Sequence, residues 1–81
     1  MVKTLSVVKN NITELPNNIE AEQSVIGSIL LANEIFDEIS LLISSKNFYD
    51  PMHQKIFKAI EKLIYGGMLA NPITLKNHFE N

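Results

Sequence analysis

The 81-residue sequence contains no cysteine, so it can form neither a disulfide framework nor a thiolate metal site, and nothing in it argues for an oxidising compartment. It also lacks long apolar runs. Stretches such as Ile29 to Ala32 fall far short of the ~20 residues that a bilayer crossing requires. The opening MVKTLSVVKNNITELP has no continuous apolar core of the signal-peptide type. Together these absences make the cytoplasm the expected location, with no membrane partner. The Asn11-Ile12-Thr13 triplet then reads as a chance match to a glycosylation acceptor. A surplus of positive charge is missing as well. Seven basic residues face nine acidic ones, for a net charge of −2, where a DNA binder would carry a basic stripe to neutralise phosphates. Direct DNA binding is therefore not expected.

What is present suits one small globular domain, because 46% hydrophobic and 20% charged residues allow a modest core. Residues 1–14 keep no sustained period and read as a leader, which Leu15-Pro16 closes, leaving 15–81 as the domain. Asn17 or Asn18 can cap a first helix, and Glu20 and Glu22 place negative charge in its first turn, where the helix dipole favours it. At ~100° per residue, Ala21, Val25, Ile26, Ile29, Leu30 and Ala32 share one arc. Gly27 lies outside that arc. It either lets another backbone approach a second side of the helix or is a tolerated weak spot.

Asn33 reads as the cap of a second helix, in which Ile35, Phe36, Ile39, Leu42 and Ile43 point inward until Ser44-Ser45-Lys46-Asn47 breaks it. Phe48 and Tyr49 form an aromatic hook before Asp50-Pro51, a capping residue followed by a proline suited to the first helical position. The third helix carries the stripe Met52, Ile56, Phe57, Ile60, Leu63 and Ile64 and ends at Gly66-Gly67. Asn71-Pro72 marks a turn, and Thr74 caps a last segment too short to hold unless Leu75 and Phe79 dock on the rest. The expected fold is all-α, a small orthogonal helical bundle.

Catalytic patterns are scarce. Gly66-Gly67 is followed by Met68, not by the lysine and hydroxyl residue of a phosphate-binding loop, and no serine sits in a GxSxG elbow. His53 and His78 lack the i, i+4 spacing of paired metal ligands. No catalytic, cofactor or metal residue is assigned. His53 does point into the apolar arc of its helix, as Glu22 does in the first helix. Burying either alone costs about 1 to 3 kcal/mol, so the two either meet in a hydrogen bond or edge out to solvent. A rival function comes from the tail, where Lys76, Asn77 and His78 could read bases in a small helix-turn-helix regulator. The long, proline-containing connection from Gly66 to Ile73 and the charge balance weigh against it.

Three blocks, LPNNIEAEQSVIGSILL, NFYDPMHQKIFKAI and NPITLKNHFE, resemble the N-terminal domain of bacterial replicative DNA helicases of the DnaB type, in order and spacing from Leu15 to Glu80. The residues that carry the likeness are Glu20, Glu22, Gln23, Gly27, Phe48, Tyr49, Pro51, His53, Ile56 and Phe57. The resemblance implies a non-catalytic head that docks the C-terminal domain of primase and sits among other helicase subunits, a hexamer in the full-length protein. It also implies that ATP and Mg belong to a motor domain of that longer protein, which unwinds DNA. The family's helical hairpin and motor have no counterpart in these 81 residues, so the fragment is expected to be no enzyme, a monomer or weak dimer, and without assigned primase contacts. A free-standing adaptor derived from such a head is the other reading.

Overall fold

The computed structural model describes residues 18–80, and all regular structure among them is helical. The leader, Leu15-Pro16 and the alternative cap Asn17 lie outside the described residues. Helix α1 spans Ile19–Leu31 and α2 spans Phe36–Ser40, with the 3-10 turn Asn33–Ile35 between them. A second 3-10 turn, Ser45–Asn47, leads to α3 at Pro51–Tyr65, and α4 follows at Pro72–Glu80.

Each start has a chemical cause. The Asn18 side chain accepts from the Ala21 amide at 2.9 Å, and Asp50 accepts from Met52 at 2.7 Å beside Pro51 in the first turn of α3. Helix α3 stops at Gly66, after which Gly67 takes φ of 81°, a left-handed conformation that costs a non-glycine residue roughly 1 kcal/mol or more.

The core joins one face of α1 (Ala21, Val25, Ile26, Ile29) to Ile35, Phe36, Ile39 and Ile43, and to Phe57, Ala59, Ile60 and Leu63 of α3. An aromatic series crosses it. The Tyr65 ring meets Phe36 edge-on at 5.7 Å, Phe36 meets Phe57 at 5.5 Å, and Phe57 meets Phe48 at 5.0 Å. Helix α4 closes the other end through Leu75, with Ala70 buried just before it.

Several expectations change here. The region after α1 is no long helix capped by Asn33, because the Asn33 side chain is used elsewhere and residues 33–35 wind as a 3-10 turn with no side-chain cap. Bonds of the i to i−3 type then end α2 at Ser40, and they leave Leu42 half in solvent. The hook turns in Phe48 alone, for Tyr49 is 62% exposed. Met52 is exposed too, at the N-terminal edge of the α3 stripe. Helix α4 starts earlier than Thr74. Asn71 Oδ1 accepts from the Ile73 and Thr74 amides, and Thr74 Oγ1 accepts from the Asn71 amide, a reciprocal cap around Pro72. Phe79 does not dock. It stays half-exposed with its ring edge-on to His78.

For Gly27 the structure favours the second of its two readings. A Cβ built there meets nothing within 4 Å among the described residues, so none of their backbone approaches that side, as expected of a tolerated weak spot.

Candidate functional site

Glu22 sits one turn into α1 on the face that its neighbours Ala21, Val25 and Ile26 bury, and the helical period carries its carboxylate into the core. Its exposure is 0%. His53 occupies the matching place one turn into α3 and is buried as well. The two meet: His53 Nδ1 lies 2.7 Å from Glu22 Oε1. The same carboxylate accepts from two backbone amides, Tyr49 to Oε2 at 2.6 Å and Asp50 to Oε1 at 3.2 Å. With Glu22 ionised, His53 donates through Nδ1–H, and the Phe48 ring stands edge-on to the imidazole at 6.4 Å.

The arrangement is self-contained. Gln54 Nε2 donates to the Phe48 carbonyl at 2.7 Å, so residues 48 to 50 are held from both sides by α1 and α3. Among the described residues no buried side-chain nitrogen or oxygen is left without a partner. A buried carboxylate accepting three donors in a medium of low dielectric is strongly localised, since each charge-assisted bond contributes about 1.5 to 3 kcal/mol. What it does is fix the shape of the turn and the seating of α1 on α3.

At the far end of α1, Asn33 performs a second such task. Its Nδ2 donates to the Ile29 and Ala70 carbonyls at 2.8 and 2.9 Å, and its Oδ1 accepts from the Ala70 amide at 2.8 Å. Helix α3 is thus flanked by two loops, each gripped by a polar side chain at one end of α1.

The structure brings together Glu22, His53, Phe48 and Phe57 from the resemblance, plus the backbone of Tyr49. Pro51 stands exposed in the first turn of α3, and Ile56 is half-buried against the core. Glu20 and Gln23 face solvent on α1, and Gly27 is half-exposed. Sequence reasoning missed Asn33, Gln54, and the Tyr49 and Asp50 amides as partners of the carboxylate. The amides carry no side-chain signature, whereas Asn33, a polar residue just beyond a helix end, resembled an ordinary cap.

Gly66 and Gly67 terminate a helix rather than curl before one, and among the described residues no three His, Asp or Glu side chains converge as metal ligands. Lys76 and Asn77 are exposed on α4. No helix among the described residues is long and apolar enough to cross a membrane.

The class is therefore a small all-α head organised around a buried carboxylate. The chain belongs to the DnaB-like helicase N-terminal domain family, which it matches over residues 14–81. It is 46% identical over 63 residues to the replicative DNA helicase DnaB of Rickettsia felis, covering 78% of this chain and 13% of that protein. With the replicative DNA helicase DnaB of Buchnera aphidicola subsp. Baizongia pistaciae it shares 40% identity over 78 residues, 96% of this chain and 17% of the relative. The chain thus spans only about a sixth or less of the length of these relatives. No solved structure matches it.

Proposed function

We propose that this chain is a non-catalytic scaffold head of a cytoplasmic replicative helicase, docking the C-terminal domain of primase and other helicase subunits. In the full-length protein a motor lying outside these residues would use ATP and Mg to unwind DNA. The observation that carries the reading is the Glu22 site. Its converging ionisable groups are bonded to each other and to backbone amides, so their chemistry is spent on holding a shape. A head of fixed shape is what a docking surface requires, because pre-organisation lowers the entropy lost on binding. The family match and the net charge of −2 support a protein partner over DNA.

Calorimetric titration of the chain with the primase C-terminal domain tests this, with duplex DNA titrated in parallel. Saturable heat with primase alone is expected. Absence of primase binding overturns the docking role, and duplex binding that weakens with salt favours a helix-turn-helix regulator using Lys76, Asn77 and His78.

A further inference from the structure

Among the described residues eleven large apolar side chains stand exposed, and their places in the fold sort them. Leu31 ends α1, about 18 Å along the helix from Ile19, and Asn33 keeps Leu69 at that end by gripping Ala70. Ile73 and Phe79 belong to α4, which departs from there, and Tyr65 and Met68 stand at the close of α3, about 20 Å from its start. Leu41 and Leu42 follow α2. The remaining three, Ile19, Tyr49 and Met52, gather where α1 and α3 both begin, for the Glu22 carboxylate holds the Tyr49 amide at 2.6 Å and His53, the neighbour of Met52, at 2.7 Å. They are 38%, 62% and 56% exposed on a rigid base. The residues that precede Asn18 enter the fold at this same end.

We infer that residues 12–16 fold back over this patch and seat Leu15 and Ile12 on Ile19, Tyr49 and Met52. Reach selects the site. Leu15 is three residues from Asn18, a span of at most about 11 Å, so it covers the start of α1 and falls short of Leu31, about 20 Å along the helix. Backbone conformation suits the contact. Pro16 confines Leu15 to extended or polyproline backbone, and in the latter, which turns once in about three residues, Ile12 and Leu15 share one face. They then meet Tyr49 and Met52, a pair with the same spacing in the chain. Charge does not choose the occupant, because Asp50 and Glu20 stand at the patch together with Lys46 and Lys55. The segment answers with the single charge of Glu14, so apolar burial carries the contact. Since the patch is already fixed by Glu22 and by the Asp50 cap, only the docking segment loses freedom. The family match, which begins at residue 14, counts Leu15 and Pro16 with the domain. The leader is thereby a built-in cover, and a protein that binds through Tyr49 or Met52 has first to displace it.

Nuclear Overhauser spectra of the isotope-labelled full chain test this. Contacts from the Leu15 and Ile12 methyl groups to the Tyr49 ring and the Met52 methyl are expected, and none in a mixture of labelled and unlabelled chains filtered for contacts between molecules. Leu15→Ser should erase its contacts and shift the Tyr49 and Met52 resonances, with helicity and the resonances of Leu31 and Leu69 unchanged. Met52→Ser should in turn shift those of Leu15. A folded chain whose residues 12–16 touch neither Tyr49 nor Met52, or touch Leu41, Leu42 or the Gly27 side of α1 instead, overturns the docking. Contacts seen only between molecules overturn it as well, because the cover is then the leader of another copy.

Discussion

The side chain of Asn33 engages both backbone groups of Ala70, accepting from its amide at 2.8 Å and donating to its carbonyl at 2.9 Å. The same Nδ2 reaches the Ile29 carbonyl at 2.8 Å, so a single amide group joins the end of α1 to the loop that enters α4. Asn33→Ala leaves an amide and carbonyls of Ala70 and Ile29 without these partners, at a cost of about 1 to 3 kcal/mol. Asn33→Asp should be worse, because it sets a carboxylate against two carbonyl oxygens. Urea denaturation orders the three chains, and faster amide exchange at Ala70 should accompany the loss.

Glu22 supports a comparable test at the other end of α1. Glu22→Ala orphans the Tyr49 and Asp50 amides together with His53, and each buried donor left without its partner costs about 1 to 3 kcal/mol, so the summed loss exceeds that of a single bond. Glu22→Gln keeps an acceptor but turns an NH2 group toward a donor, so an intermediate loss of about 1 to 3 kcal/mol is expected. The urea midpoints should therefore fall in the order wild type, Gln, Ala. Equal midpoints for Glu22→Ala and the wild type would show the carboxylate to be structurally idle.

This pairing is the part of the site that was half legible in the sequence, for Glu22 and His53 each broke an apolar stripe and had either to pair or to edge out to solvent, and the fold takes the first course. Periodicity also placed α1 and α3, because long amphipathic segments repeat the same signal many times, and capping chemistry offered Asp50 for α3 and Asn17 or Asn18 for α1, of which Asn18 is the one used. The short elements were harder. Ile39 and Ile43 keep helical spacing, yet the i to i−3 bonds of residues 41 and 42 end α2 between them, and spacing does not distinguish the two bond types. Asn33, Asn71 and Thr74 are all good capping residues, and which cap is used depends on backbone groups that only the folded chain brings close. Tyr49 reads as one hook with Phe48, but adjacent side chains in an extended segment point to opposite sides.

The Asn71 cap gives a prediction about α4. Asn71→Ala removes the acceptor of the Ile73 and Thr74 amides and should cost about 1 kcal/mol, concentrated in a nine-residue helix held mainly by Leu75. Thr74→Val, which keeps the shape but loses the hydroxyl that bridges to the Leu69 carbonyl at 2.8 Å, should loosen the same end. Amide exchange confined to residues after 70, with α1 and α3 still protected, is the expected signature.

The glycines separate two physical effects. At Gly27 a Cβ meets no atom of the described residues within 4 Å and the residue lies mid-helix, so Gly27→Ala should stabilise the head by up to ~1 kcal/mol through helix propensity. Gly27→Leu should also be tolerated, since none of the described residues stands close enough to be overpacked. Gly67 likewise has open space, but its φ of 81° disfavours any residue with a Cβ, so Gly67→Ala should destabilise by about 1 to 2 kcal/mol. Thermal melts of the two alanine variants should therefore move in opposite directions. A fall for Gly27→Ala would mean that something packs against that side of α1 after all, and the leader or another molecule would be the first place to look.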